Sequence, residues 1–519
     1  MKTAMVLRRS KTLGLVALVV LLAIGVIALW ALSVPAPVES WLRVRVLSAL
    51  KEHYGREVRL QNLRVTLIPV FRVTADNFVL PSLGPTDLPP FVMVKHITAE
   101  AFPLQLLRRP FHLSWAKLDG LVINVPPKQS TPPGQSPGPE HRERLADFEI
   151  DRLDADGTKL YVLPKQAGRE PMEWELHSLT LHSAGIGQPM RFLAELTNPK
   201  PPGLIHTSGK FGPWNLDSPS ETPVSGHYTF RNADLSVFNG IAGILSSTGD
   251  FTGMLQEIVV DGTTETPDFK LDSGAGAVHL STQFHAIVDG MNGNTYLQPV
   301  SARFLNSNVV ARGEVAGKPR EKGKTIALDV NIGDATVQDM FNLAVEGPRP
   351  LVTGALSAHA KLVIPPGKQT VLNRIQLSGT FRTQDLRFTD DKVKDTVDAL
   401  SRRAQGKPDD QTIQDVRARL VGTFDLRNAT LSFARLQFEV PGATAAVKGS
   451  YGLHDGQINF TGDVKLQAQV SQTMTGAKRV LLKPVDPLFA RHHAGTYLPV
   501  NITGQKDKPQ IKLDLKKVF

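Results

Sequence analysis

The chain has 519 residues, with 59 Lys and Arg against 49 Asp and Glu, 42 Gly, 37 Pro and no Cys. The missing thiols exclude disulfide scaffolds, zinc ribbons, iron–sulfur clusters and thiol catalysis together, and 41% hydrophobic with 21% charged residues excludes wholesale disorder. Of the formal charge of +10, four positive charges come from Lys2, Arg8, Arg9 and Lys11; the remainder is too dilute for a phosphate-binding face, so no nucleic-acid partner is expected.

Residues 1–12 form a basic tail, and Leu13 to Leu32 (LGLVALVVLLAIGVIALWAL) carries no charge. Twenty residues in a helix make about 30 Å, the hydrocarbon thickness of a bilayer. This run, through Leu13, Val20, Ile24, Trp30 and Leu32, is expected to be a transmembrane helix with Trp30 at its interfacial end. Basic residues precede it and the first acid after it is Glu39, so the N-terminus is expected in the cytoplasm and the chain after Ser33 outside it. Val34-Pro-Ala36 offers small residues for signal-peptide cleavage, but Pro37 should block the cut. The apolar run also exceeds the roughly 7–15 residues of a signal core. In a bacterium this describes a single-pass inner-membrane protein with its bulk in the periplasm.

Val38 to His53 follows with Trp41, Val44, Leu47 and Leu50 at helical spacing, and Gly55 ends that pattern. From there the period changes to two. Ile326, Leu328, Val330 and Ile332 alternate with polar residues, and from Gln457 to Ser471 the residues Ile458, Phe460, Val464 and Leu466 share one parity, with a bend expected at Gly462-Asp463. One apolar and one wet face per strand means antiparallel sheet. A repeat reinforces this: GHYTFRNADLSV from Gly226, GTFDLRNATLSF from Gly422 and a looser GSYGLHDGQINF from Gly449, with a shorter GTFRTQDLRF from Gly379. Each is expected to be a β-hairpin, and Leu431 and Phe433 belong to the second. Lys128 to Glu140 (KQSTPPGQSPGPE) predicts a linker and a domain boundary. Asp390 to Gln405, with Val393, Val397, Leu400 and Ala404 on one face, and Thr412 to Leu420 predict a helical hairpin, and a shorter helix is predicted near Ala335 to Val345. The expected segments are thus 33–127, the linker 128–140, a central β region 141–388, the helical insertion 389–420 and a C-terminal β region 421–519.

Catalytic and cofactor chemistry is not expected. Gly317 to Thr325 (GKPREKGKT) nearly matches a phosphate-binding loop, but five residues separate its glycines instead of four, and it leads into a strand. His492-His493 has no acid at metal-ligand spacing, and Ser273-Gly-Ala-Gly276 lacks the third glycine of a dinucleotide fingerprint. His279 and His285 sit in a strand-like stretch. No enzyme, metal or cofactor reading follows.

The order of these features resembles a known family. A basic tail and anchor, a short helix, then GREVRLQNLRVTLIPVFRVTADNFVL from Gly55 to Leu80 and PLQLLRRPFHLSWAKLDGLVINVPPK from Pro103 to Lys128 resemble the start of AsmA-like periplasmic proteins. The stretch from Gly449 to Leu515, with SQTMTG, LLKPVDPLF and GTYLPVNITG, is similar to their C-terminal part. The resemblance implies envelope maintenance and an elongated, curled β-groove like that of chorein-type lipid-transfer proteins, with phospholipid tails on its apolar side. The candidates for that lining are Ile326, Leu328, Val330, Ile332, Leu431, Phe433, Ile458, Phe460, Val464 and Leu466. The implied partners are the inner membrane and phospholipid, with other envelope proteins besides. Two alternatives stand beside this one: a closed sandwich, or a non-conducting assembly factor that binds envelope proteins by its sheet edges.

Overall fold

The computed structural model describes residues 58–66, 71–81, 89–102, 111–125, 148–162, 172–185, 188–213, 219–271, 276–290, 293–317, 323–344, 352–490, 495–506 and 508–513. The expected anchor, the Val38–His53 helix, the Lys128–Glu140 linker and His492-His493 lie outside these residues. Among the described residues no helix is long and apolar enough to cross a membrane. The fold is mainly β and overwhelmingly antiparallel, in two compact units: Met1–Asp234 with Leu245–Thr263 and Ile287–Gly293, and Leu235–Ile244 with Thr264–Ala286 and Asn294–Phe519.

The first unit holds β1 (Arg59–Thr66), β2 (Phe71–Leu80), β3 (Val92–Ala101), β4 (Phe111–Leu113), β5 (Trp115–Asp119), β6 (Val122–Val125), β7 (Phe148–Asp156), β8 (Thr158–Val162), β9 (Met172–Gly185), β10 (Met190–Pro199), β11 (Pro202–Phe211) and β12 (Pro223–Asp234). Pairing runs β1–β2–β3, and β3 then bonds both β5 and β6, which continue one another across a left-handed Gly120 with φ of 62°. β5 and β6 pair in parallel with β7 and β8, which are broken alongside at Gly157, and antiparallel order resumes through β9 to β12. Parallel neighbours require a crossover of a dozen residues or so. The 128–140 stretch falls in that connection, so it is not the domain boundary expected from its composition: strands on both sides of it pair directly within one unit. The alternating strands here close over a dry core. In β2, Phe71, Val73, Ala75, Phe78 and Leu80 are all buried, joined by Ile97, Leu113 and Ile150.

Strands β13 (Ile241–Ala242), β14 (Ile244–Met254), β15 (Glu257–Leu271) and β16 (Val278–Val288) follow. The second unit then runs as one uninterrupted antiparallel meander. It comprises β17 (Thr295–Phe304), β18 (Ser307–Ala316), β19 (Thr325–Thr336), β20 (Val352–Ile364), β21 (Gln376–Phe388), β22 (Arg419–Arg427), β23 (Thr430–Val440), β24 (Ala443–Gly452), β25 (Gln457–Leu466), β26 (Thr496–Gln505) and β27 (Lys508–Leu513). Its helices are α1 (Val337–Ala344), α2 (Asp391–Ala404), α3 (Ala477–Leu482) and α4 (Asp486–Phe489), besides a single turn at Val371–Arg374.

Two of the four repeat copies are hairpins. Asn428 and Ala429, with φ of 50° and 55°, form the two-residue turn between β22 and β23, and a four-residue turn joins β24 to β25. The Gly379 copy instead runs through as a single strand, β21, and the Gly226 copy stays in β12 to Asp234 and ends in a 3-10 turn at Leu235–Val237; in them Asp385 and Asn232 take the left-handed conformation alone. An isolated left-handed residue bulges a strand without reversing it. Nor does β25 bend at Gly462-Asp463; Gly462 pairs with Val447 on one side and Val500 on the other. The helical hairpin is corrected too. α2 forms, capped by the Asp390 carboxylate accepting from the Val393 amide at 3.0 Å, but Thr412 to Ala418 is not helical. There the backbone amides bond to side chains: Thr412 to Asp410, and Asp415 and Val416 to the buried Asp398 at 3.2 and 2.9 Å, while Arg402 donates to the Ile413 carbonyl. Asp and Asn side chains that satisfy nearby amides compete directly with helix.

Candidate functional site

Residues paired across neighbouring strands share a face, so register alone sorts the side chains of the second unit. From β19 to β27 one row reads Leu328, Leu362, Leu377, Leu426, Leu431, Tyr451, Ile458, Gly504, Pro509. The next row on that face reads Val330, Ala360, Gly379, Phe424, Phe433, Gly449, Phe460, Ile502, Ile511, and the third Ile332, Ala358, Phe381, Gly422, Leu436, Val447, Gly462, Val500, Leu513. The opposite face carries Asp329, Lys361, Ser378, Asp425, Ser432, Ser450, Asn459, Thr503 and Gln510 in one such row. The nine strands alternate in phase. At about 4.8 Å per strand the apolar band is roughly 38 Å long, and its three rows with the one beyond span about 20 Å along the strands.

All ten residues singled out from alternation lie on this apolar face, with Ile326 opposite Ile364 at its margin. Nine of them are half-buried: they are withdrawn from bulk water without a full protein cover. Leu466 differs. It is buried with Val440, Ala443, Val397 and Ala404 in a cluster beneath α2, so it belongs to a closed core, and Val464 packs on the margin of that cluster. α2 thereby covers one end of the band. It is fixed there by the Ser401 hydroxyl donating to the Pro441 carbonyl at 2.8 Å and the Ala468 amide to the Ala404 carbonyl at 2.9 Å. Of the face expected for α2, Val397 and Ala404 are buried, Leu400 packs against the cluster, and Val393 stays exposed. The alternating stretch expected to Ser471 is strand only as far as Leu466, so Gln467 and Gln469 lie beyond the end of β25.

Glycines are part of the lining. A side-chain carbon on Gly422 would sit 2.6 Å from the Phe381 ring, and one on Gly449 would sit 2.8 Å from the Phe460 ring and 2.1 Å from the Asn459 carbonyl oxygen. Rings thus lie over bare backbone, with centroids 6.1 Å apart for Phe381–Phe424, 6.5 Å for Phe381–Phe433 and 6.0 Å for Phe433–Phe460. The first unit uses the same device: Gly203 lies under Phe230, and Gly226 under Phe251. Half-buried Leu181 and Phe192 share a row there with Gly209 and Gly226, and Leu196, Ile205 and Phe230 form another. Sequence reasoning passed over Phe230, Phe381 and Phe424 as lining residues. The signal that could have found them was the repeat itself, in which Phe381 and Phe424 stand two residues after Gly379 and Gly422 and Phe230 stands four after Gly226.

The polar side is laced with exposed cross-strand pairs of histidine and carboxylate: His96–Asp76 at 2.6 Å, His206–Glu195 at 3.2 Å, His227–Asp250 at 3.0 Å, His279–Glu265 at 2.7 Å and His359–Asp329 at 3.5 Å. Hydrogen bonds from His96 and Asn62 hold Asp76 below the usual carboxylate range, and bonds from Ser281 and His279 do the same for Glu265. Each is a pair on a wet surface, where solvent screens most of the attraction. Among the described residues no group of three or more His, Asp or Glu is placed to hold a metal ion. Comparison with protein-family models, curated proteins and solved structures yields no match.

Proposed function

We propose that this chain is a membrane-anchored envelope protein, single-pass in the inner membrane with its bulk in the periplasm, that holds phospholipid acyl chains on its apolar sheet face and helps transfer them. One observation carries the reading: three adjacent apolar rows run in phase through nine strands, and from β19 to β26 most of their residues are half-buried, whereas the equally alternating strands β1 to β3 bury their apolar side chains fully. A band of that area exceeds the few hundred Å² usual for apolar patches on soluble monomers. Its width along the strands is comparable to the roughly 15 Å of one leaflet's hydrocarbon. The resemblance to AsmA-like proteins and the uncharged run Leu13–Leu32 support the same reading.

The test is site-specific photo-crosslinking in cells, with the reactive group at Phe460 or at Asn459. The two are neighbours on one strand and face opposite ways. Phospholipid captured at Phe460 and not at Asn459 is the expected result; equal capture, or protein adducts alone at Phe460, refutes the proposal. A second reading, a non-conducting assembly factor for envelope proteins, draws on β27, whose six residues are all exposed at the edge of the sheet. Lys508, Pro509 and Lys512 on that strand are residues that discourage edge pairing, which favours the first reading.

A further inference from the structure

Two of the three most exposed large apolar side chains of the second unit are not on the sheet face proposed for lipid, the third being Ile511 on the edge strand β27. Leu481 and Val480 in α3 are 75% and 68% exposed, and Leu488 and Met474 in the same segment are 42% and 37% exposed. Lys478, Arg479 and Lys483 lie among them and are exposed as well. The only acid from 474 to 490 is Asp486, and it is buried: the Ser471 amide and hydroxyl donate to its carboxylate at 2.7 and 2.6 Å. That bond pins the segment to the turn following β25. The pinned turn therefore presents its apolar side chains outward, ringed by three positive charges and no exposed negative one.

We propose that residues 474–489 dock on the surface of a bilayer rich in anionic headgroups, with Val480 and Leu481 entering the headgroup–acyl boundary and Lys478, Arg479 and Lys483 meeting the lipid phosphates. A bilayer accepts protruding leucines without a shaped pocket, and basic residues beside them add electrostatic attraction. A second copy fits poorly, because a two-fold contact through this patch would bring three positive charges against three. The proposal does not depend on what occupies the apolar sheet rows.

The chain has no cysteine, so Leu481→Cys gives one labelling site for a polarity-sensitive fluorophore. The full-length labelled protein is mixed with vesicles of phosphatidylglycerol or of phosphatidylcholine. The expected result is a blue shift with phosphatidylglycerol vesicles, and an apparent affinity reduced about tenfold or more by replacing Lys478, Arg479 and Lys483 with Gln. A label at Thr248, in the other unit, should not shift. Val480→Asp should abolish the response while leaving the circular dichroism spectrum unchanged, since the side chain is already exposed. No shift with either lipid, or equal shifts with both, overturns the proposal. So does a shift that grows with protein concentration before vesicles are added, which would assign the patch to a second copy. A shift produced by a protein fraction and not by vesicles would assign it to a protein partner.

Discussion

Replacing one phenylalanine by aspartate at two positions separates a covered apolar face from an uncovered one. Phe78 is 1% exposed in the dry core of the first unit, whereas Phe460 is half-buried on the banded face. Phe78→Asp removes a whole buried ring, worth about 3–5 kcal/mol with its cavity, and adds an uncompensated buried carboxylate of several kcal/mol more. Phe460→Asp forfeits the ring contact with Phe433 at 6.0 Å and part of a phenyl's burial, about 1–2 kcal/mol in all, because the carboxylate there keeps its water. A single melting temperature is ill-defined for a chain of two units, so the readout is hydrogen exchange resolved by peptide. Phe78→Asp should strip protection from β1 to β3, while Phe460→Asp should leave β24 to β26 protected and reduce co-purifying phospholipid. If Phe460→Asp unfolds its strands as completely as Phe78→Asp unfolds its own, the face is closed by protein and the reasoning fails.

Gly449→Ala should destabilise β23 to β25 by about 1–3 kcal/mol, because the new carbon would lie 2.1 Å from a backbone carbonyl that cannot swing away. Gly333→Ala, with nothing within 4 Å of the added carbon, should be neutral in the same exchange assay. The third prediction concerns acid. Burial raises the Asp154 carboxyl, but hydrogen bonds from Trp115, Thr180 and Arg152 outweigh it and hold the group below the ordinary carboxylate range. A depressed folded value stabilises above the unfolded pKa of about 3.9 and loses that stability as pH falls through the folded one. Asp154→Asn should therefore flatten the acid limb of the first unit's stability, measured by urea titration between pH 5 and 2.5; an unchanged limb would refute the assignment.

How much of this was legible beforehand is clearest in one tripeptide. Arg-Asn-Ala occurs at 231–233 and at 427–429, and in both copies the asparagine is left-handed, with φ of 55° and 50°. Only in the second does the following alanine also turn left-handed and complete a hairpin. A left-handed alanine costs about 1–2 kcal/mol, so local chemistry permits either outcome and strand pairing selects between them. In the 410–416 turn the long-range Asp398 carboxylate takes amides that a helix would have used, and no window of local sequence contains that partner. The 128–140 stretch resembled a boundary for the same reason: the pairing that spans it joins residues far apart in the chain.

By itself the sequence determined the β class, the two faces of each strand and the apolar membership of the lining residues, because alternation with a period of two is a property of the extended backbone. Only the tertiary structure decided which apolar faces are covered. Phe78 and Phe460 stand in similarly alternating strands, yet one is enclosed and the other is not. Alternation makes a strand amphipathic but carries no information about what meets its apolar side. That depends on where distant elements such as α2 come to rest, and burial is a property of those long-range contacts.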